Sequence, residues 1–369
     1  MRKIFVPCET GINETRTALI PTDVKKLAEL GYEIAVQSGA GLKSGYADDE
    51  YSAAGVKVMN TAKEGYDFCE IVVRVNRPDD ITGISANTLH ISCFDIFREK
   101  DFVKEYADAG INVISLEMIP RSTIAQKMDV QSSQTSLAGY YSVILAASRL
   151  PKIFPMMMTP AGTISPARVF ILGVGVAGLQ AIATAKRLGA IVEAFDTRPD
   201  TEFEVKSLGA KFLKIDLGEM GQTEQGYAKE LTAEQVEIQR KAQARVCANS
   251  DVVITTAKVF GRKAPVLITK DMIAQMKPGS IIIDMAVKTG GNVEGSDPNK
   301  DVLLDNGVTI IGGDSLERFV AKDASDMFSG NMRALFEHFW DTDGKSFIIN
   351  RSDDIMKSCL ITYDKEVLT

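Results

Sequence analysis

Arg168-Val169-Phe170-Ile171-Leu172-Gly173-Val174-Gly175-Val176-Ala177-Gly178 opens the stretch that decides the fold, which runs on to Asp196. The run up to Leu172 is short, apolar and rich in β-branched and aromatic residues, as in a strand buried on both faces. It ends in G-x-G-x-x-G. A helical pattern follows at once through Leu179, Ile182, Ala183 and Leu188, and Gly189 is placed to cap it. A second apolar run, Ile191 to Phe195, ends in Asp196.

Each part has a physical job. Gly173 permits the tight turn out of the strand, Gly175 lets backbone approach a pyrophosphate, and Gly178 lets helix pack on strand. Val176 and Ala177 begin the helix, whose N-terminus offers unpaired N–H groups and a positive dipole end to phosphates. Asp196 lies 18 residues after Gly178. A carboxylate there accepts both ribose hydroxyls of the adenosine half and repels a 2′-phosphate. NAD is therefore favoured over NADP, although Arg198, after Thr197, pulls the other way. A glycine motif alone is weak; strand, helix and acid in place make it a dinucleotide site. The same frame would also serve another adenosine compound.

The 369 residues are 45% hydrophobic and 25% charged, a composition that supports two globular domains. The net charge of −7 excludes a global basic footprint for nucleic acid. No run approaches the roughly 18 apolar residues of a membrane helix, which argues against direct membrane insertion. Met1 to Pro7 lacks a signal-peptide core and reads as a first strand. The five cysteines are odd in number and form no C-x-x-C, which points to a reduced, cytoplasmic setting. With only His90 and His338, no metal site is expected.

Along the chain, strands alternate with helices from Ile4 to Leu116, as in a mostly parallel sheet. A helix is expected from Ser132 to Leu150, followed by an irregular link through Pro151, Pro155 and Pro160. Met156, Met157 and Met158 in that link read as gap-filling packing. Strands are expected at 211–213, 252–254, 281–283 and 308–311, with a glycine-spaced mobile loop at 216–232. A helix from Ala324 to Trp340 carries the apolar stripe Phe328, Met332, Leu335, Phe336 and Phe339. The expected fold class is α/β, with two Rossmann-like domains, mostly parallel sheets and a cleft between them. Residues 1–135 with 325–369 make the N-terminal domain; 136–324 make the NAD-binding domain, entered by a linking helix.

Arg121 to Gln134 places a guanidinium, an amide, a carboxylate and hydroxyls just before the long helix. Asp129 or Ser132 suits the N-cap. Polar capping alone explains the stretch as well as a polar wall facing a nicotinamide does.

Glu14 to Pro21, Gly39-Ala40-Gly41 and Asp48 to Tyr51 resemble the alanine dehydrogenase and transhydrogenase family. The Arg121 to Tyr140 stretch, Val174 to Ala190, Gly226 to Glu230, Ile254 to Ala257 and Pro278-Gly279-Ser280 resemble, within that family, the NAD(H)-binding component of proton-translocating nicotinamide nucleotide transhydrogenase. The resemblance implies that Arg121, Gln126, Asp129 and Ser132 surround the dihydronicotinamide and its ribose. It also implies that Thr256, Ala257 and the Gly226-Tyr227-Ala228 segment meet the cofactor, with Tyr227 at the tip of a loop closing over it. Hydride would pass directly from NADH to NADP(H) held on a partner component. The implied partners are NADP-binding and membrane-spanning transhydrogenase components and a second copy in a homodimer. The implied location is peripheral to the inner membrane, and the chain's end at Thr369 fits an enzyme split over several polypeptides. Two other readings stand beside it: a self-sufficient alanine dehydrogenase-like enzyme, and a non-catalytic NAD(H)-binding module. Against the former, Arg74 and Asp95 stand where the dehydrogenase branch has a lysine and a histidine.

Overall fold

A computed structural model of the chain describes residues 1–98, 100–216, 232–258 and 261–368. Two compact units form, Met1–Gln134 with Glu317–Thr369, and Thr135–Leu316.

The first unit begins with β1 (Lys3–Val6), β2 (Glu33–Gln37), β3 (Lys57–Met59), β4 (Ile71–Asn76), β5 (Leu89–Cys93) and β6 (Asn112–Ser115). They lie parallel in the order β3-β2-β1-β4-β5-β6. The apolar run Ile71-Val72-Val73 is fully buried, because a doubly wound sheet is covered on both faces. Helix Pro21–Leu30 starts with Pro21, whose missing N–H would be unpaired there anyway. It stops at Gly31, whose φ of 122° suits a residue without Cβ.

The second unit opens within helix Val130–Arg149, which leads to a hairpin, β7 (Met157–Thr159) and β8 (Gly162–Ile164). The expected irregular link is thus an ordered antiparallel pair, turned at Pro160-Ala161 with Gly162 at φ 137°. The methionines do not fill core gaps. Met156, Met157 and Met158 are 61%, 44% and 73% exposed, and every residue of both hairpin strands is exposed. The sheet follows: β9 (Arg168–Leu172), β10 (Ile191–Phe195), β11 (Lys211–Phe212), β12 (Val252–Thr255), β13 (Ile281–Asp284), β14 (Val302–Leu303) and β15 (Thr309–Gly312). Its order is β11-β10-β9-β12-β13-β15-β14, parallel except for β14. The order reverses between β9 and β12, and ligands of such sheets bind beyond the carboxyl ends of the strands at that point.

The chain then returns to the first unit. Helix Ala321–His338 buries Phe328, Met332, Leu335 and Phe336 in its core. A short pair, β16 (Trp340–Asp341) and β17 (Ser346–Phe347), precedes β18 (Leu360–Tyr363) and β19 (Glu366–Val367). β18 pairs antiparallel with β6 and extends the first sheet. Residues 317–324 belong with this unit because Glu317 pairs with Arg16 and the Arg318 carbonyl accepts from Thr15.

Candidate functional site

The glycine turn sits at the carboxyl end of β9, at the reversal point. Gly173 adopts φ 98° and donates its N–H to the Phe195 carbonyl at 2.9 Å. The Thr256 hydroxyl, just past β12, donates to the Gly173 carbonyl at 3.0 Å. A Cβ on Gly178 would lie 1.9 Å from that same carbonyl oxygen, so glycine is what allows helix Val176–Arg187 to start here. A further glycine, outside the motif, is needed for packing. Gly139, inside helix Val130–Arg149, lies so close that a Cβ would meet the Ala177 carbonyl at 2.3 Å. A glycine in mid-helix is the available sequence signal.

Gly175 differs from its neighbours. It is the N-cap of helix Val176–Arg187, and a Cβ there would meet nothing within 4 Å. The first turn of that helix carries no acidic residue. Open space in front of a helix N-terminus whose own first turn carries no carboxylate fits a pyrophosphate.

At the end of β10, Asp196 is already hydrogen-bonded. Its Oδ2 accepts from Val174 N–H at 2.7 Å, and its Oδ1 from Arg198 N–H at 2.9 Å. The Arg198 guanidinium adds bonds at 3.1 Å from Nε to Oδ1 and from Nη2 to Oδ2. Burial alone would push this carboxyl up, but Arg198 and the two backbone N–H groups hold it below the usual carboxylate range. Thr197 is exposed beside them. Gly173, Asp196, Arg198 and Thr256 are thus joined around one turn. Gly226, Tyr227 and Ala228 lie outside the described residues.

In the first unit the polar stretch becomes a one-turn 3-10 helix, Ala125–Met128, followed by Val130–Arg149. Asp129 is the N-cap: its Oδ1 accepts from Ser132 N–H at 2.9 Å and its Oδ2 from Ser132 Oγ at 2.6 Å. Arg121 and Gln126 are exposed. The fold uses Asp129 and Ser132 for capping and leaves the other two open to solvent.

The reversal point of the first sheet, between β1 and β4, is filled by its own side chains. Glu9 accepts from Val75 N–H at 2.7 Å and Asn76 N–H at 3.3 Å. Asn76 donates to Glu14 at 2.6 Å. Arg16, 6% exposed, pairs with Glu14 at 2.6 Å and Glu317 at 3.0 Å, and donates to Gln134 at 3.0 Å. Burial opposes charge on both partners, yet the pairing holds Glu14 below the usual range and raises Arg16 further. Arg74 is also committed, donating to the Cys8 carbonyl at 2.7 Å and the Tyr66 hydroxyl at 2.9 Å. Asp95 is exposed, with φ 52°, and pairs with Arg98 at 3.3 Å. His90 is fully buried on β5, its Nδ1 2.9 Å from the Tyr106 hydroxyl.

Two doubly wound units, one with a complete dinucleotide-binding turn, define an α/β nucleotide-binding protein. Residues 5–138 match the N-terminal and 142–369 the C-terminal domain described as "Alanine dehydrogenase/PNT". The chain belongs to that family. It is 40% identical over 375 residues to the first part of the NAD(P) transhydrogenase subunit alpha of Rhodospirillum rubrum, covering 99% of this chain and 97% of that one. The protein of the same name from Rickettsia prowazekii is 40% identical over 373 residues, with 99% and 96% covered. The solved transhydrogenase of Sinorhizobium meliloti superposes with a TM-score of 0.88 at 38% identity, covering 99% of this chain and 100% of that one. An L-alanine dehydrogenase structure shares the fold, with a TM-score of 0.81 at 24% identity.

Proposed function

We propose that this chain is the NAD(H)-binding component of an NAD(P) transhydrogenase and passes hydride between NADH and NADP⁺ held on a partner component. The observation that supports this most is the full-length 40% identity to a transhydrogenase alpha subunit, spanning 99% of the chain. Gly173, Gly175, Val176, Ala177 and Gly178 take the pyrophosphate, and Asp196, with Thr197 and Arg198, takes the adenosine ribose. Thr256 and Ala257 lie on the nicotinamide side of the reversal point. Arg121, Gln126, Asp129 and Ser132 hold the dihydronicotinamide and its ribose. When bound, the cofactor supplies the hydride; the protein contributes binding, orientation and exclusion of water. No residue need move a proton.

Membrane attachment in this reading comes through partner subunits on the cytoplasmic face. Among the described residues no helix is long and apolar enough to cross a membrane. The exposed Met156, Met158 and Ile164 of the β7–β8 hairpin suit burial against a second copy in a homodimer. The self-sufficient dehydrogenase reading is disfavoured by the first unit. Its reversal point is filled by Glu9, Glu14, Asn76 and Arg16, and both terminal nitrogens of Arg74 are hydrogen-bonded, to the Cys8 carbonyl and the Tyr66 hydroxyl.

The test uses purified protein, NADH, an NADP⁺ analogue and a separately made NADP-binding transhydrogenase component. Reduction of the analogue is expected only in the complete mixture. Oxidation of alanine by the chain alone at about 1 s⁻¹ or faster would overturn the proposal.

A further inference from the structure

One buried side chain outside the turn grips the backbone that follows β12. Asn292 is fully buried in the loop after β13. Its Oδ1 accepts from Ala257 N–H at 3.1 Å, and its Nδ2 donates to the Ala257 carbonyl at 2.9 Å and the Pro265 carbonyl at 2.7 Å. Both backbone groups of Ala257 are therefore held by one amide. Asn292 is itself fixed from both sides. Its N–H donates to Asp284 Oδ2 at 3.0 Å, and its carbonyl accepts from Leu267 and Ile268 N–H at 2.8 and 2.9 Å. Asp284, also fully buried, takes further bonds from Ala286 N–H at 3.0 Å, Val293 N–H at 3.2 Å and the Ser296 hydroxyl at 2.7 Å. The carboxylate thus folds residues 284–296 around itself and presents the Asn292 amide to Ala257.

The topology says what this clamp serves. β10 flanks β9 on one side and carries Asp196; β12 flanks it on the other and runs into Thr256-Ala257. A dinucleotide across the reversal point lays adenosine over the β10 side and nicotinamide over the β12 side. We propose that Asn292 is a positioning residue for the nicotinamide half: it fixes the Thr256-Ala257 segment against which that half lies. This rests on the transhydrogenase reading only in needing a dinucleotide at the turn. The side-chain bonds of Asn292 themselves go to Ala257 and Pro265, on the β12 side.

That asymmetry gives a readout that general loss of stability would not produce. Calorimetry with NADH and with ADP, which keeps adenosine and pyrophosphate but lacks nicotinamide, compares the two halves. Asn292→Ala is expected to weaken NADH about tenfold, as for loss of a buried hydrogen-bonded pair, while ADP stays within about twofold. Equal losses for both ligands, or no loss for NADH, would overturn the inference. Asn292→Ser keeps a polar atom at smaller volume and is the second variant should the alanine protein not fold. It is expected to show the same asymmetry in smaller degree, and equal losses there count equally against the clamp. Failure of the parent protein to bind NADH would instead defeat the functional reading, so the two failures are distinct.

Discussion

The Arg198 guanidinium closes on the Asp196 carboxylate through two bonds of 3.1 Å, from Nε to Oδ1 and from Nη2 to Oδ2. The acceptors that would take the adenosine ribose are therefore occupied by an exposed, movable side chain. Displacing it exchanges one set of bonds to the carboxylate, whose side chain is only 11% exposed, for another. Binding of NADH is expected to be much tighter than that of NADPH. Asp196→Ala should weaken NADH about tenfold and narrow that difference. Because Arg198 and the backbone hold Asp196 below the usual range, the acceptor stays ionised, and NADH affinity should not fall between pH 8 and pH 5 on its account. Calorimetry decides this, and equal affinity for NADH and NADPH would refute it.

Gly175 and Gly178 separate binding from folding. A Cβ at Gly178 meets the Gly173 backbone oxygen at 1.9 Å, whereas one at Gly175 meets nothing within 4 Å. Gly178→Ala is expected to cost about 3 kcal/mol and abolish nucleotide binding, since backbone must shift to admit it. Gly175→Ala should leave thermal unfolding within about 1 °C of the parent, in keeping with a substitution worth under about 0.5 kcal/mol, yet weaken NADH, because the methyl enters the pyrophosphate space. A Gly175→Ala protein with parental NADH affinity would remove the turn from the binding site.

Glu9 should make the first unit less stable as pH rises. Burial pushes its carboxyl from 4.5 to about 7, against the pull of Arg74 and the Val75 and Asn76 N–H groups, with Glu14 adding to the rise. The folded protein thus keeps a proton that the unfolded chain has lost. Its stabilising effect is fully present below about pH 4.5 and is lost as pH rises through about 7. Glu9→Gln, compared with the parent, should gain on the order of 1–3 kcal/mol between pH 5 and pH 8. Urea unfolding followed by fluorescence of Trp340, the single tryptophan, measures it. A difference that shrinks or reverses over that range would show that Glu9 is not the group responsible.

What is legible in the sequence is what is encoded locally. Gly173 to Gly178 and Asp196 form one strand–turn–helix–strand unit, so spacing along the chain carries their geometry. The first unit's parallel strands are equally plain, because β-branched runs alternate with helical periods. Asn292 is not legible: its partners Ala257 and Pro265 lie 35 and 27 residues away, and Gly290-Gly291-Asn292 looks like ordinary turn chemistry. Met156 to Met158 mislead because methionine composition says nothing of burial. The better cue is Pro160-Ala161-Gly162, a turn between two short extended runs. Asp129 and Ser132 each suit the cap by residue type, and only the hydrogen bonds show that Asp129 is the acceptor for Ser132.

Asp129 and Gln126 provide the test of how hydride transfer is organised. Asp129 caps helix Val130–Arg149 through Ser132, so its loss confounds folding with catalysis. Asparagine caps nearly as well as aspartate, whereas alanine forfeits about 1 kcal/mol. Asp129→Asn is therefore expected to keep parental stability while losing the charge, and Asp129→Ala to lose both. Gln126 is exposed, so Gln126→Ala should change stability by less than about 0.5 kcal/mol. Direct hydride transfer needs donor and acceptor carbons about 3 to 3.5 Å apart, and a ring held loosely reaches that distance rarely. In the mixture with the NADP-binding component, Gln126→Ala and Asp129→Asn should each slow transfer about tenfold or more, while NADH affinity changes by no more than about threefold. Transfer rates and NADH dissociation constants measured on the same preparations separate the alternatives. If rates fall only in step with NADH binding, these side chains hold the nucleotide without orienting its ring.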